Sequence, residues 1–237
     1  MAQTSGLRRM LVPGLAALGI AACSMPAAAG DTSAGQKLAA SGADGVVACA
    51  TCHGAQGQGM AAAGFPYLAG QGAAYLAEQL HHFASGSRGN AVMAPIAKAL
   101  SDQQIADVTA YYAQLPAAFD TKTLAGHADP YPTKDAGAWL ANRGDWDNDI
   151  PACVQCHGPG GVGVGTQFPA LAGQSANYLK AQLSAWKEGK RDPGPLDLMG
   201  DIAKRMSDAQ ITAVADYFAG LPDAVQGQAT ATQGGAK

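Results

Sequence analysis

Two stretches of the chain carry the same run of apolar positions. Ile105, Val108 and Tyr112 recur at helical spacing, and Ile211, Val214 and Phe218 do so about a hundred residues later. Each run opens on Ser-x-x-Gln, Ser101 to Gln104 and Ser207 to Gln210, the pattern of a capping box. Each meets Leu-Pro at its end, Leu115-Pro116 and Leu221-Pro222, which marks a stop. A closing helix is therefore predicted in each half. Further helices are predicted over Ala73 to Ser85 and Ala176 to Lys187, and a first helix from about Asp31 and about Lys134. Gly-rich loops follow at Gly54 to Gly64 and Gly158 to Gly165. No alternating strand pattern is present, so the fold class is all-α.

The two halves match along their length. Ala34-Gly35-x-x-Leu38 corresponds to Ala136-Gly137-x-x-Leu140, and Phe65-Pro66-Tyr67-Leu68-Ala69-Gly70-Gln71 to Phe168-Pro169-Ala170-Leu171-Ala172-Gly173-Gln174. Tyr75-Leu76-x-x-Gln79-Leu80 corresponds to Tyr178-Leu179-x-x-Gln182-Leu183, and Met93-x-x-Ile96-Ala97-Lys98 to Met199-x-x-Ile202-Ala203-Lys204. A period of about a hundred residues is domain duplication rather than a solenoid. The expected units are residues 30–116 and 134–222. Residues 117–133 carry Pro130 and Pro132 without clear periodicity and read as a linker. Residues 223–237 are mostly Gln, Ala, Thr and Gly and read as a disordered tail.

Composition adds a constraint. Hydrophobic residues make up 48% of the 237, but aromatics only 6%. Side chains this small build a thin core, as a core completed by bulky cofactors would need. Residues 1–29 read as a secretion signal. Arg8 and Arg9 form the charged start, Met10 to Ala22 a short apolar stretch, and Ala27-Ala28-Ala29 a cleavage site. Ile20-Ala21-Ala22-Cys23 also resembles a lipobox, so a lipoprotein signal ending before Cys23 stays open, and with it attachment to the membrane. Removal of residues 1–29 leaves 13 basic against 18 acidic residues, a formal charge of −5. No basic run interleaved with aromatics is present, which argues against a nucleic-acid partner.

The chemistry lies in Cys49-Ala50-Thr51-Cys52-His53 and Cys153-Val154-Gln155-Cys156-His157. Cys-x-x-Cys-His is the spacing of a covalently attached c-type haem: each thiol forms a thioether to a porphyrin vinyl group, and the His becomes an axial ligand of the iron. A redox dithiol gives no reason for the His in both copies, and a zinc site built from the two pairs would leave both His residues idle. Two covalent haem c groups are therefore expected. The repeat also selects the second axial ligand. Met93 and Met199 match, whereas Met60 follows His53 too closely and Met206 aligns with Leu100. A bis-His first haem through His81 or His82 is the alternative; those two and His127 read as solvent-facing.

With its two Cys-x-x-Cys-His-Gly sites, two Pro-x-Leu-Ala-Gly-Gln segments and Met-x-x-Ile-Ala sequences, the chain resembles the dihaem cytochromes of the c4 type over residues 30–222. The resemblance implies two class I cytochrome c domains related by a pseudo-two-fold axis, with haem propionates near the contact. It implies one-electron transfer in the periplasm after general secretion, from a respiratory donor to a terminal oxidase, and membrane redox partners. The same body also serves as the cytochrome subunit of a dehydrogenase such as a sulfide-oxidising flavocytochrome. A dihaem peroxidase would need an open iron position, against which two matched Met ligands argue. The resemblance further implies that Pro66 and Pro169 turn a carbonyl to the haem His, with a plain loop role as the alternative. It implies that Arg88 and Arg191 pair with propionates, with solvated arginines as the alternative. Gly35 and Gly137 should lie where the first and last helices of each unit cross.

Overall fold

Duplication governs the architecture. The computed structural model describes residues 29–234 apart from Pro193 and Pro195, with side chains described as far as Gly227 in the last helix. Residues 1–28, which include Arg8, Arg9 and Cys23, lie outside the described residues. The first unit comprises α1 (Thr32–Ser41), the one-turn α2 (Ala50–His53), α3 (Ala73–Ser85), α4 (Met93–Ala99) and α5 (Asp102–Gln114). A short α6 (Thr121–Ala125) follows. The second unit repeats the order with α7 (Ala136–Arg143), α8 (Val154–His157), α9 (Ala176–Lys187), α10 (Leu198–Arg205) and α11 (Asp208–Gly234). Between the helices the described residues form only isolated β-bridges. No helix among them is long and apolar enough to cross a membrane.

Local chemistry sets the helix starts. Asp31 and Asp135 accept backbone N–H groups at the heads of α1 and α7. Ser101 and Gln104 form both bonds of a capping box, as do Ser207 and Gln210. In each unit the first helix crosses the last at a glycine. A Cβ on Gly35 would collide with the Asp107 carbonyl and Tyr111, and one on Gly137 with the Ala213 carbonyl and Tyr217. Leu38, Val108 and Tyr112 are buried at the first crossing, and Leu140, Val214 and Phe218 at the second.

The last helix departs from the expected stop at Pro222. α11 runs through that proline to Gly234, where a disordered tail was expected. Pro222 cannot donate a hydrogen bond to the Phe218 carbonyl four residues back. The Gly173 N–H fills the gap at 2.8 Å. Leu221 and Val225 then pack in the second core with Phe119 and Leu124. These last two belong to the segment expected to be a linker. Residues 117–125 are in fact part of the second unit, because Phe119 and Leu124 are buried apolar side chains that would otherwise face water. In the first unit Pro116 leaves the Tyr112 carbonyl open in the same way, and the Gly70 N–H binds it at 2.9 Å, but there the helix ends.

The two units meet through reciprocal contacts. The Gln71 side chain donates to the Ala170 carbonyl and accepts the Ala170 N–H, both at 2.9 Å. The matched Gln174 accepts the Tyr67 N–H at 3.2 Å and donates to the Tyr67 carbonyl at 3.3 Å. Residues 67 and 170 are themselves matched, so the contact is isologous, as a pseudo-two-fold axis requires. Symmetry fails at Tyr75, whose N–H crosses to the Thr166 carbonyl at 2.9 Å while that of Tyr178 stays with Ser175, and at Tyr67. Tyr67 inserts its ring edge-on against Phe119, with centroids 6.1 Å apart, and its hydroxyl donates to the Ala172 carbonyl at 3.0 Å. Ala170 has no ring with which to return the contact.

Candidate functional site

Each Cys-x-x-Cys-His sequence folds as a single helical turn, α2 or α8, with Cys49 and Cys153 at the N-cap. Residues three apart share a helix face, so the two thiols of each pair can reach one planar partner. The N–H of His53 binds the Cys49 carbonyl at 2.9 Å, and that of His157 the Cys153 carbonyl at 3.0 Å. Gly54 and Gly158 follow at φ of 81° and 78°, a left-handed conformation that favours glycine. The chain then doubles back, and the carbonyls of His53 and His157 accept the N–H groups of Gly59 and Gly163, each at 2.8 Å.

This return brings a proline carbonyl to each imidazole. His53 Nδ1 donates to the Pro66 carbonyl at 2.9 Å and His157 Nδ1 to the Pro169 carbonyl at 2.8 Å. A carbonyl can only accept, so the proton sits on Nδ1 and the Nε2 lone pair is left for a metal. Burial pushes both imidazoles below their ordinary range, against the proline bonds, and so favours the neutral, ligating form. The four cysteines are unpaired. Burial raises the Cys49 thiol and pushes the Cys153 thiol up to about 12. A nucleophilic dithiol needs the opposite shift.

Met93 is the first residue of α4, and Asn90 caps that end by accepting the N–H groups of Val92 and Met93, each at 2.9 Å. Met199 is the second residue of α10. Both side chains are half-buried. Met206 is packed in the second core and Met60 is 46% exposed. His81 is exposed and His82 half-buried. His127, expected to face solvent, has a side chain only 12% exposed and lies 3.4 Å from Asp129.

Arg88 and Arg191 are not solvated. They are 5% and 3% exposed, at the junction of the two units. Gln79 Oε1 accepts from Arg88 at 2.9 Å and from Arg191 at 2.7 Å, and Gln182 Oε1 from the same pair at 2.6 and 3.0 Å. The Tyr178 hydroxyl lies 2.8 Å from Arg88. Each guanidinium also covers a ring, Arg88 that of Phe83 at 4.4 Å and Arg191 that of Trp186 at 3.8 Å. Neither takes part in the described ion pairs. Two adjacent buried cations without a carboxylate are costly, so an anion belongs beside them. Trp186 Nε1 is likewise buried with no acceptor among the described residues. A haem, through its propionates, would supply acceptors and negative charge. The donor set, the free Nε2 atoms and these orphaned groups all fit covalent haem. Sequence reasoning missed the Gln79 and Gln182 pair and Trp186; the only signal was that both glutamines recur at matched positions.

The fold and the paired sites define a duplicated c-type cytochrome. The family model described as Cytochrome c matches residues 32–116 and 146–222. Over 207 residues the chain is 50% identical to the thiosulfate dehydrogenase electron acceptor of Stutzerimonas stutzeri strain A1501, covering 86% of this chain and 93% of that one. The reduced cytochrome c4 of Pseudomonas stutzeri superposes with a TM-score of 0.67 at 35% identity, covering 81% of this chain and 99% of that one. The thiosulfate dehydrogenase TsdBA of Marichromatium purpuratum superposes with a TM-score of 0.70 at 46% identity over 79% of this chain. This chain spans 40% of that longer one. The chain belongs to the cytochrome c family, among its dihaem c4-type members. It carries two covalent haem c groups and transfers electrons to and from redox partners; it is not itself a catalyst.

Proposed function

We propose that this carrier takes electrons from a thiosulfate dehydrogenase in the periplasm and hands them to a terminal oxidase. The observation that carries the donor is the 50% identity with an electron acceptor of that enzyme over nearly its full length, against 39% with a cytochrome c4. We assign Cys49 and Cys52 to the first haem and Cys153 and Cys156 to the second. His53 with Met93 would hold one iron, and His157 with Met199 the other. The matched positions of both methionines support this, as do the imidazole nitrogens left open by the Pro66 and Pro169 bonds.

When bound, each haem supplies a one-electron Fe(III)/Fe(II) couple. The protein's part is to hold that couple still. Pro66 and Pro169 fix the imidazole planes and increase electron donation from Nε2. The thioether sulfurs of Met93 and Met199 favour the ferrous state and raise the potential. Arg88 and Arg191, buried where the units join, would balance propionate charge. The sequence of residues 1–29 supports export of residues 30–237 by the general secretion route, with anchoring through Cys23 as the variant.

The test mixes oxidised cytochrome with a thiosulfate dehydrogenase catalytic subunit and thiosulfate and follows the reduced α-band. Rapid reduction of both haems is expected. Reduction by ascorbate but not by the dehydrogenase would overturn the donor. Met93→Ala and Met199→Ala should each abolish one near-infrared charge-transfer band of Met-ligated ferric haem. Survival of both bands in either variant would refute that ligand.

A further inference from the structure

Two of the chain's three tryptophans lie in the open, and both line one cleft of the second unit. Tyr131, Trp139 and Trp146 are 68%, 40% and 64% exposed. They border a cleft of about 420 Å³ together with Arg143, Asp145 and Asp147. Tyr131 and Trp139 stack with centroids 6.0 Å apart and planes 22° from parallel. The Arg143 guanidinium lies 4.8 Å from the Tyr131 centroid, so one aromatic face already holds a cation. Among the described residues no ring stacks on Trp146 and no cation lies over it.

The first unit is an internal control. Its positions matching Trp139 and Arg143 are Lys37 and Ser41. Its bridged turn closes from Ala43 to Val46, whereas that of the second unit runs from Asp145 to Ile150, two residues longer. The insertion carries Trp146. The first unit holds its haem motif without any of these groups, so they are not needed for that task. Three exposed aromatic rings gathered in one cleft mark a site of interaction. The turn is rigid: Asp145 accepts from Asn148 at 2.8 Å and from Gln210 at 2.7 Å. Those bonds, that from Asn148 foremost, hold its carboxyl below the usual range, so it stays ionised. Asp147 takes part in none of the described ion pairs. Pro151 and Ala152 alone separate this turn from Cys153.

We infer that this cleft docks the redox partner of the second unit, by receiving an arginine or lysine side chain of the thiosulfate dehydrogenase catalytic subunit between the Trp146 ring and the Asp147 carboxylate. Complementarity selects the occupant. Electron-rich indole beside an unpaired carboxylate favours a cation, Arg143 shows that guanidinium stacking suits these rings, and the exported chain is net negative. Trp, Tyr and Arg are also the side chains that dominate binding hot spots. The inference rests on the donor proposed above.

Stopped-flow reduction by the catalytic subunit with thiosulfate tests both, with ascorbate as a small reductant that needs no docking. Trp146→Ala and the Trp139→Ala/Trp146→Ala pair should lower the second-order rate constant by about tenfold or more, the scale of a lost hot spot. Asp147→Asn should lower it severalfold and flatten its salt dependence. Ascorbate rates and both potentials should be unchanged in every variant. A wild-type rate constant in the exposed Trp146→Ala and Asp147→Asn proteins would overturn the docking site and leave the donor standing. Wild-type protein that ascorbate reduces but the dehydrogenase does not would overturn the donor, and this docking site with it.

Discussion

Replacing Gln71 with alanine tests what joins the two units. Gln71 is 3% exposed, and its amide makes two 2.9 Å bonds to the backbone of Ala170. Truncation leaves the Ala170 N–H buried with no other described partner. The carbonyl keeps only a 3.3 Å contact with the Tyr67 hydroxyl. An orphaned buried donor costs ~1–3 kcal/mol and a lost bond ~1 kcal/mol, so the loss should be about 2–4 kcal/mol. The matched Gln174→Ala breaks longer bonds, of 3.2 and 3.3 Å to Tyr67 and 3.2 Å from the N–H of the adjacent, half-buried Ser175, and should cost less. Guanidinium unfolding of the ferric protein, followed at the Soret band, reads this out. With a slope of about 5 kcal/mol per molar, 3 kcal/mol moves the midpoint down by ~0.6 M. If the interface alone is weakened, one transition should split into two, and both Met charge-transfer bands should persist without denaturant. A midpoint within about 0.1 M of wild type, or a larger loss in Gln174→Ala, would refute the reasoning.

Three further outcomes follow from other parts of the molecule. Gly35→Ala and Gly137→Ala place a methyl against backbone carbonyls that cannot yield, so each should destabilise by about 1–3 kcal/mol or more, measured by thermal melting. Arg88→Gln or Arg191→Gln should lower both haem potentials by roughly 20–60 mV, since each guanidinium bonds to glutamines of both units and ~1 kcal/mol corresponds to about 43 mV for one electron; in spectroelectrochemical titration, a shift confined to one haem would contradict the shared network. Ending the chain after Pro222 removes the buried Val225 and should cost about 1.5 kcal/mol or more in chemical denaturation; a dispensable tail would show no change.

What was legible in the sequence was what local chemistry decides. The helices over Ala73–Ser85 and Ala176–Lys187 stand where spacing puts them, because their apolar faces and end residues are contiguous. The Ser-x-x-Gln boxes form as written. What was not legible depends on distant partners. Pro222 reads as a stop because its missing N–H is a local fact, but the donor that compensates is Gly173, 49 residues earlier. Phe119 and Leu124 have no periodic company in their own segment, and only the second core gives them a place. Arg88 and Arg191 look like ordinary surface charges until the other unit closes over them. The cleft gathers Tyr131, Trp139 and Trp146 from separate turns with no repeat spacing among them.

A duplicated chain sorts its own residues by role. Cys, His, Pro, Gln and Arg at matched positions serve what the two units share: holding haem and meeting about a two-fold axis. Perfect symmetry there would make the two sites equivalent, and equivalent sites give electrons no preferred direction. Inequality must come from positions where the repeat fails. Two of them exchange one aromatic side chain for another. Tyr112 has a buried hydroxyl beside the Cys49 thiol where the second unit has Phe218, and Trp186 has a buried Nε1 without a described partner where the first has Phe83. Each puts a buried dipole on one side only, in surroundings where low polarity makes a dipole count. The asymmetric Tyr67 and the aromatic cleft of the second unit add a structural and a surface difference. The symmetric residues make two carriers; the mismatches are what can make them a sequence.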